Sequence, residues 1–210
     1  MPITTPLAYV REFTHRSSTA LLMWDYQVGL AGRALHLDRL VQTSRRLLDA
    51  ADEAGIPVYW SRHTLPPLAA ATPGMQLFQA IKQDVASASE LTPFMQPGSP
   101  EREFLAELAP RPHDTVIEKS TPSFFVGTTL QQRLFAGGIR SVVVTGVATE
   151  IGVDLTAKHA LALGYAPVVI EDAVGSYTDE KLEKGLAALR TWIPVVRSDE
   201  IISIWKEHGE

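Results

Sequence analysis

The chain has no cysteine in its 210 residues. That excludes a thiol nucleophile, a disulfide framework and any thiolate metal site; it says nothing about redox compartment. No apolar stretch approaches the ~20 residues needed to span a bilayer. No basic run is present and the formal net charge is −5, so phosphate-backbone binding is not expected. The first fifteen residues lack a basic segment followed by an apolar one, so a secretory signal is not expected and a cytoplasmic location is the default. The loop after the first apolar run, Val28, Gly29, Leu30, Ala31 and Gly32, lacks the glycine spacing of a dinucleotide site. No cofactor is expected.

What is present is an alternation. Short apolar runs at 20–24, 57–60, 115–117, 142–144, 167–170 and 193–196 read as strands buried on both faces. Between them, apolar residues recur at three- and four-residue steps over 38–54, 128–136, 151–163 and 179–192, with a closing helix around 200–206. Gly55 and then Pro57 mark the end of the first of these helices. Sequential βα units predict a three-layer α/β/α domain around a mostly parallel, Rossmann-like six-stranded sheet. Apolar content of 45% in 210 residues supports one domain with its own core. Residues 64–113 are irregular and carry eight prolines. A loop-rich insert of that length is expected to serve as a lid or pocket wall, or else as a surface connection with one or two short helices (76–85 and 100–108).

In parallel sheets ligands bind beyond the carboxyl ends of the strands. The polar residues just after strands are Asp25, Arg62 and His63, Lys119, and the turn at 149–152. A desolvated Asp25 beside Lys119 suits acid or base work; the plain alternative is a strand-end salt bridge. His63 is a pocket candidate or an exposed loop histidine. His159 is read on the polar face of its helix, and Asp154 with Lys158 as a surface pair. The remaining histidines show no metal-ligand spacing, so no catalytic metal is expected.

Four motifs add a resemblance. Asp25–Tyr26–Gln27 closes the first strand; Asp114, Val116 and Lys119 form D-x-V-x-x-K; Gly146–Val147–Ala148–Thr149 forms a turn; Thr156–Ala157, Gly164–Tyr165 and Asp172–Ala173 follow in order. Together they resemble the isochorismatase-like hydrolases, also called the cysteine hydrolase superfamily. The resemblance implies a six-stranded parallel sheet, an Asp25–Lys119 catalytic pair, a cis peptide at Val147–Ala148, and a third catalytic position at Gly152. The implied substrate is a small molecule, and a homo-oligomer (dimer or tetramer) is expected. Substrate contacts are expected from Gln27, His63, Phe124, Phe125, Thr149, Glu150 and Val153, with backbone N–H groups at Gly152 and Val153 facing developing negative charge.

The amidase branch of the family carries cysteine where this chain has Gly152, whereas isochorismatases proper carry glycine. The resemblance thus implies either non-covalent hydrolysis, with Asp25 protonating an enol ether and water capturing the cation, or C–N hydrolysis through water. A disabled cysteine amidase and a binding protein on the same fold remain as further readings. Glu150 and the missing basic residue after Lys119 argue against a strongly anionic substrate.

Overall fold

A computed structural model describes residues 6–67 and 70–207. Part of the N-terminal segment read for a leader, and His208, lie outside the described residues. The elements in chain order are α1 (Pro6–Phe13), β1 (Thr19–Trp24), α2 (Leu37–Ala54), β2 (Val58–His63), α3 (Pro73–Gln83), β3 (Thr115–Lys119), α4 (Leu130–Ala136), β4 (Ser141–Val147), α5 (Asp154–Ala162), β5 (Ala166–Gly175), α6 (Asp179–Arg190), β6 (Val195–Val196) and α7 (Ser198–Glu207).

All six strands are parallel, in the order β3-β2-β1-β4-β5-β6. Every residue of β1 and β4 is buried, as apolar runs without alternation require. Alternate residues face opposite layers. Leu21, Met23 and Val143 pack with Leu47 of α2 and Ile204 and Trp205 of α7. Ala20, Leu22 and Val144 pack with Leu134, Ala157 and Leu189 of α4, α5 and α6. Strand order reverses between β1 and β4, so the crevice of the fold opens beyond Trp24 and Val147. No helix among the described residues is long and apolar enough to cross a membrane.

Three elements depart from the sequence reading. β5 continues past its apolar run through Glu171 and Asp172 to Gly175, re-pairing with β4 after a register shift between Val144 and Gly146. Asp172 accepts hydrogen bonds from Ser198 N and Oγ at 2.8 and 2.7 Å and caps α7. The helix read from 151 starts at Asp154, after a wide turn over Thr149–Val153. Helix α1, ahead of the first strand, has no counterpart in the sequence reading. Segment 64–113 does carry short helical pieces near both expected places, α3 and 3-10 turns at Pro100–Arg102 and Ala106–Leu108, pinned by a small cluster of Leu65, Met75 and Met95.

Candidate active site

Asp25 follows the last residue of β1 and is 4% exposed. Its φ of 49° lies in the left-handed region, sparsely populated except by glycine and short polar residues. This backbone bend turns the carboxylate back over the strand ends. Ser61 on β2 fixes it twice: the Asp25 N–H donates to Ser61 Oγ at 2.9 Å, and Ser61 Oγ donates to Asp25 Oδ1. Lys119, the last residue of β3, donates to Asp25 Oδ2 at 2.8 Å.

Lys119 is also 4% exposed. Its other contacts are His63 Nδ1 at 3.2 Å and the Thr121 carbonyl at 3.3 Å. An ammonium has three N–H donors, and here all three have acceptors. Its charge lies 3.8 Å from the centre of the Trp24 indole, a cation–π contact. Lys119 therefore sets the state of Asp25 and keeps no N–H over for a ligand.

Burial pushes the Asp25 carboxyl up, against the pull of Lys119 and Ser61. Burial pushes the Lys119 ammonium down, against the pull of Asp25. The two shifts bring the proton affinities of the groups closer together across one 2.8 Å hydrogen bond, so the ammonium holds its proton less firmly than in water. His63 is held well below the ordinary histidine value, by burial first and Lys119 second. It is neutral at pH 7, and its Nδ1 accepts from Lys119.

These groups floor a cavity of about 540 Å³. Its sides come from Val147, Ala148, Ile151 and Gly152 of the β4 turn, from Tyr177 after β5, and from Phe78, Pro93 and Phe94 of segment 64–113. Tyr177 has its hydroxyl pushed up to about 12, by burial first and the Asp25 charge second. Arg33, Lys82 and Lys181 stand on the rim. None of the three forms an ion pair among the described residues. No three His, Cys, Asp or Glu side chains among the described residues gather into a metal-binding group.

The Val147–Ala148 peptide bond is cis. Just after it, the N–H groups of Ile151, Gly152 and Val153 all point at the Ala148 carbonyl, at 3.2, 3.2 and 3.4 Å. They cap the turn instead of facing the cavity, which corrects the expected anion cradle. Gly152 itself lines the cavity, and space decides its identity. A Cβ built there would lie 2.0–2.1 Å from three atoms of the Trp24 indole. Gly146 clears the other side of the same residue: at φ 126° its Cβ would lie 2.1 Å from the Trp24 carbonyl oxygen.

Of the expected contact residues, only His63 joins Asp25, Lys119 and Gly152 at the cavity. Gln27 is fully buried and structural. It accepts from the His63 N–H at 2.7 Å and donates to the His63 and Arg102 carbonyls, tying β2 to segment 64–113. Phe124 sits edge-on against Trp24 in the core, and Phe125 packs on Tyr165 and His159. The loop after β3 turns both rings under the sheet, away from the crevice. Thr149 donates to the Gly175 carbonyl, and Val153 is core. Glu150 accepts from Ser176 Oγ at 2.7 Å and is absent from the cavity lining. Its charge still reaches the cavity wall, where it helps to raise the Tyr177 hydroxyl, and it is set against the cations of Arg33, Lys82 and Lys181 on the rim. His159 is not on a free polar face: its Nδ1 meets Ser123 Oγ at 2.8 Å.

The isochorismatase domain family matches residues 19–200. The chain belongs to the isochorismatase family. It is an isochorismatase-like hydrolase. Its relatives include the ureidoacrylate amidohydrolase RutB of Variovorax paradoxus, 29% identical over 185 residues, 81% of this chain and 73% of that one. The N-carbamoylsarcosine amidase structure from Thermoplasma acidophilum superposes with a TM-score of 0.68 at 26% identity, over 87% of this chain and 97% of the other. A cysteine hydrolase structure from Pseudomonas syringae pv. phaseolicola shares the fold at a TM-score of 0.78 and 22% identity, over 99% and 96% of the two chains.

Proposed function

We propose that this hydrolase acts on a small carboxylate-bearing molecule without a covalent intermediate, using the Asp25–Lys119 pair as its acid. The observation that carries this reading is the buried pair itself. Two desolvated groups share a proton on a 2.8 Å bond at the floor of the cavity, and no side chain at position 152 offers a nucleophile. A vinyl ether fits this chemistry best. Asp25 gives its proton to the enol carbon, leaving a carboxylate opposite an oxocarbenium ion. Water adds to that ion and returns a proton to Asp25. The resulting hemiketal then collapses to a ketone and an alcohol. A positioned acid of this kind contributes roughly 10²–10⁴-fold.

Lys119 acts as the positioning residue for Asp25, and His63 supplies a neutral acceptor that holds Lys119. Tyr177 offers a hydroxyl with no hydrogen-bond partner among the described residues, and a substrate oxygen can take that bond. The three rim cations favour a carboxylate. A charged ligand entering between them is attracted in a low-dielectric cleft.

A second reading is hydrolysis of a C–N bond through water, favoured by the activities that the relatives' names carry. Against it stand the three N–H groups committed to Ala148, since carbonyl addition needs donors for the oxyanion. Assay of the purified chain on a panel of carboxylated vinyl ethers and a panel of carboxylated ureides and amides separates the two. Turnover on the first panel alone supports the primary reading, and turnover on the second alone replaces it.

A further inference from the structure

We propose that Trp24 determines the reaction mode of this hydrolase by filling the space a nucleophile at position 152 would need. It makes Gly152 and Trp24 one two-residue device. The inference rests on reading the crevice as the active site, and its steric core is testable without a substrate.

Three observations converge. An added Cβ at Gly152 would lie 2.0–2.1 Å from Cε2, Cζ2 and Nε1 of Trp24, far inside any real contact. The indole cannot easily swing clear. It is 2% exposed, packed edge-on against Phe124 at 6.0 Å, and its backbone lies so close to Gly146 that no Cβ fits between them. A close-packed interior does not absorb an intrusion of that size without shifting. Finally, the ring face carries the Lys119 ammonium at 3.8 Å. The volume in conflict therefore adjoins the acid pair, where a thiolate would be activated if one fitted.

The edge turned toward Gly152 contains Nε1, which has no hydrogen-bond partner among the described residues. The indole thus presents a donor where a thiol would stand, and a donor does not attack. The same geometry bears on how the glycine arose. A cysteine simply replaced by glycine would leave a hole, whereas here the space is full. Restoring the cysteine alone therefore does not restore a cysteine hydrolase.

The test is a double-mutant cycle on the full chain, read by thermal unfolding. Gly152→Ala in the native background is expected to lower Tm by about 5 °C or more, the size of an overpacked core. In a Trp24→Leu background the same change is expected to cost less than half as much, because the ring is gone. Equal losses in both backgrounds overturn the proposal. Trp24→Leu/Gly152→Cys then gives a chemical readout with no background, since the parent chain has no cysteine. Its thiolate should displace iodide from iodoacetamide, forming a thioether, about tenfold faster at pH 7 than free cysteine does, because a neighbouring ammonium lowers a thiol's pKa.

Gly152→Cys with Trp24 intact should either fail to fold or label at least tenfold more slowly than the double variant. If it keeps the parental Tm and labels at the double variant's rate, Trp24 obstructs nothing. Neither readout involves turnover. Failure here therefore leaves the Asp25 mechanism standing, and failure of Asp25→Asn to affect turnover leaves this steric pair standing.

Discussion

Among the described residues, two hollows lie at opposite ends of the sheet. The one at the amino ends, about 610 Å³, is lined by Tyr9, Phe13, Phe135, Arg140 and Tyr165. The one at the carboxyl ends is smaller, about 540 Å³. Size would choose the first; chemistry chooses the second. The larger hollow holds no buried ionisable pair, and Phe135 on it is 83% exposed. The smaller has Asp25, Lys119 and His63 nine-tenths or more buried on its floor, each pushed from its ordinary protonation behaviour. Burying charge costs free energy that folding must recover elsewhere, and such a cost is expected where a proton has to move.

The largest test of this contrast is Asp25→Asn. It keeps shape and removes the transferable proton, so kcat on the best substrate should fall about 10³-fold while KM changes little. A variant within tenfold of the parent removes the mechanism. Because Lys119 is left buried beside an amide, Tm should fall too, so the comparison is made on protein shown folded by circular dichroism.

Lys119→Met should cost about 10²-fold in kcat/KM and should change the pH profile, which a purely structural role would not. In the native chain the active form carries one proton on the pair. Activity should then be lost as pH rises through the pair's apparent pKa. Since burial lowers Lys119 from its ordinary 10.5, that loss should come below pH 10.5, and Lys119→Met should move it. An identical alkaline limb in both proteins would show that the pair does not titrate as one unit.

A smaller effect is expected at the rim. Arg33→Ala/Lys181→Ala should raise KM for carboxylate substrates about tenfold and flatten its dependence on salt, with kcat nearly unchanged. Unchanged KM on carboxylates, with the same salt slope, would detach those cations from binding. The smallest effect belongs to the other hollow. Phe135→Ser and Arg140→Gln should leave kcat/KM within about twofold, and a larger loss would give that end of the sheet a role.

The order of strands and helices is readable in the sequence because both-face burial leaves unbroken apolar runs and helices leave a 3.6-residue period. Strand-end polar residues could be found by the same logic, which is how Asp25, His63 and Lys119 come forward. Tyr177, Arg33, Lys82 and Lys181 leave no such mark. They lie in loops and on exposed helix faces, and only tertiary folding brings them to one rim. Phe124 and Phe125 mislead for the complementary reason: a loop carries no periodicity to say which way its side chains turn. The meaning of Gly152 also depends on space. Its absent side chain is plain in the sequence, but that Trp24 fills the gap follows from one ring's placement across β1 and β4. Helix α1 escapes because it precedes the first strand and belongs to no βα unit.

The central claim is hydrolysis without a covalent intermediate. Intact-protein mass spectrometry of the chain quenched in acid during steady turnover tests it most directly. The account predicts the unmodified mass at every time point. An adduct of substrate mass that appears with turnover and clears as substrate is exhausted would contradict it.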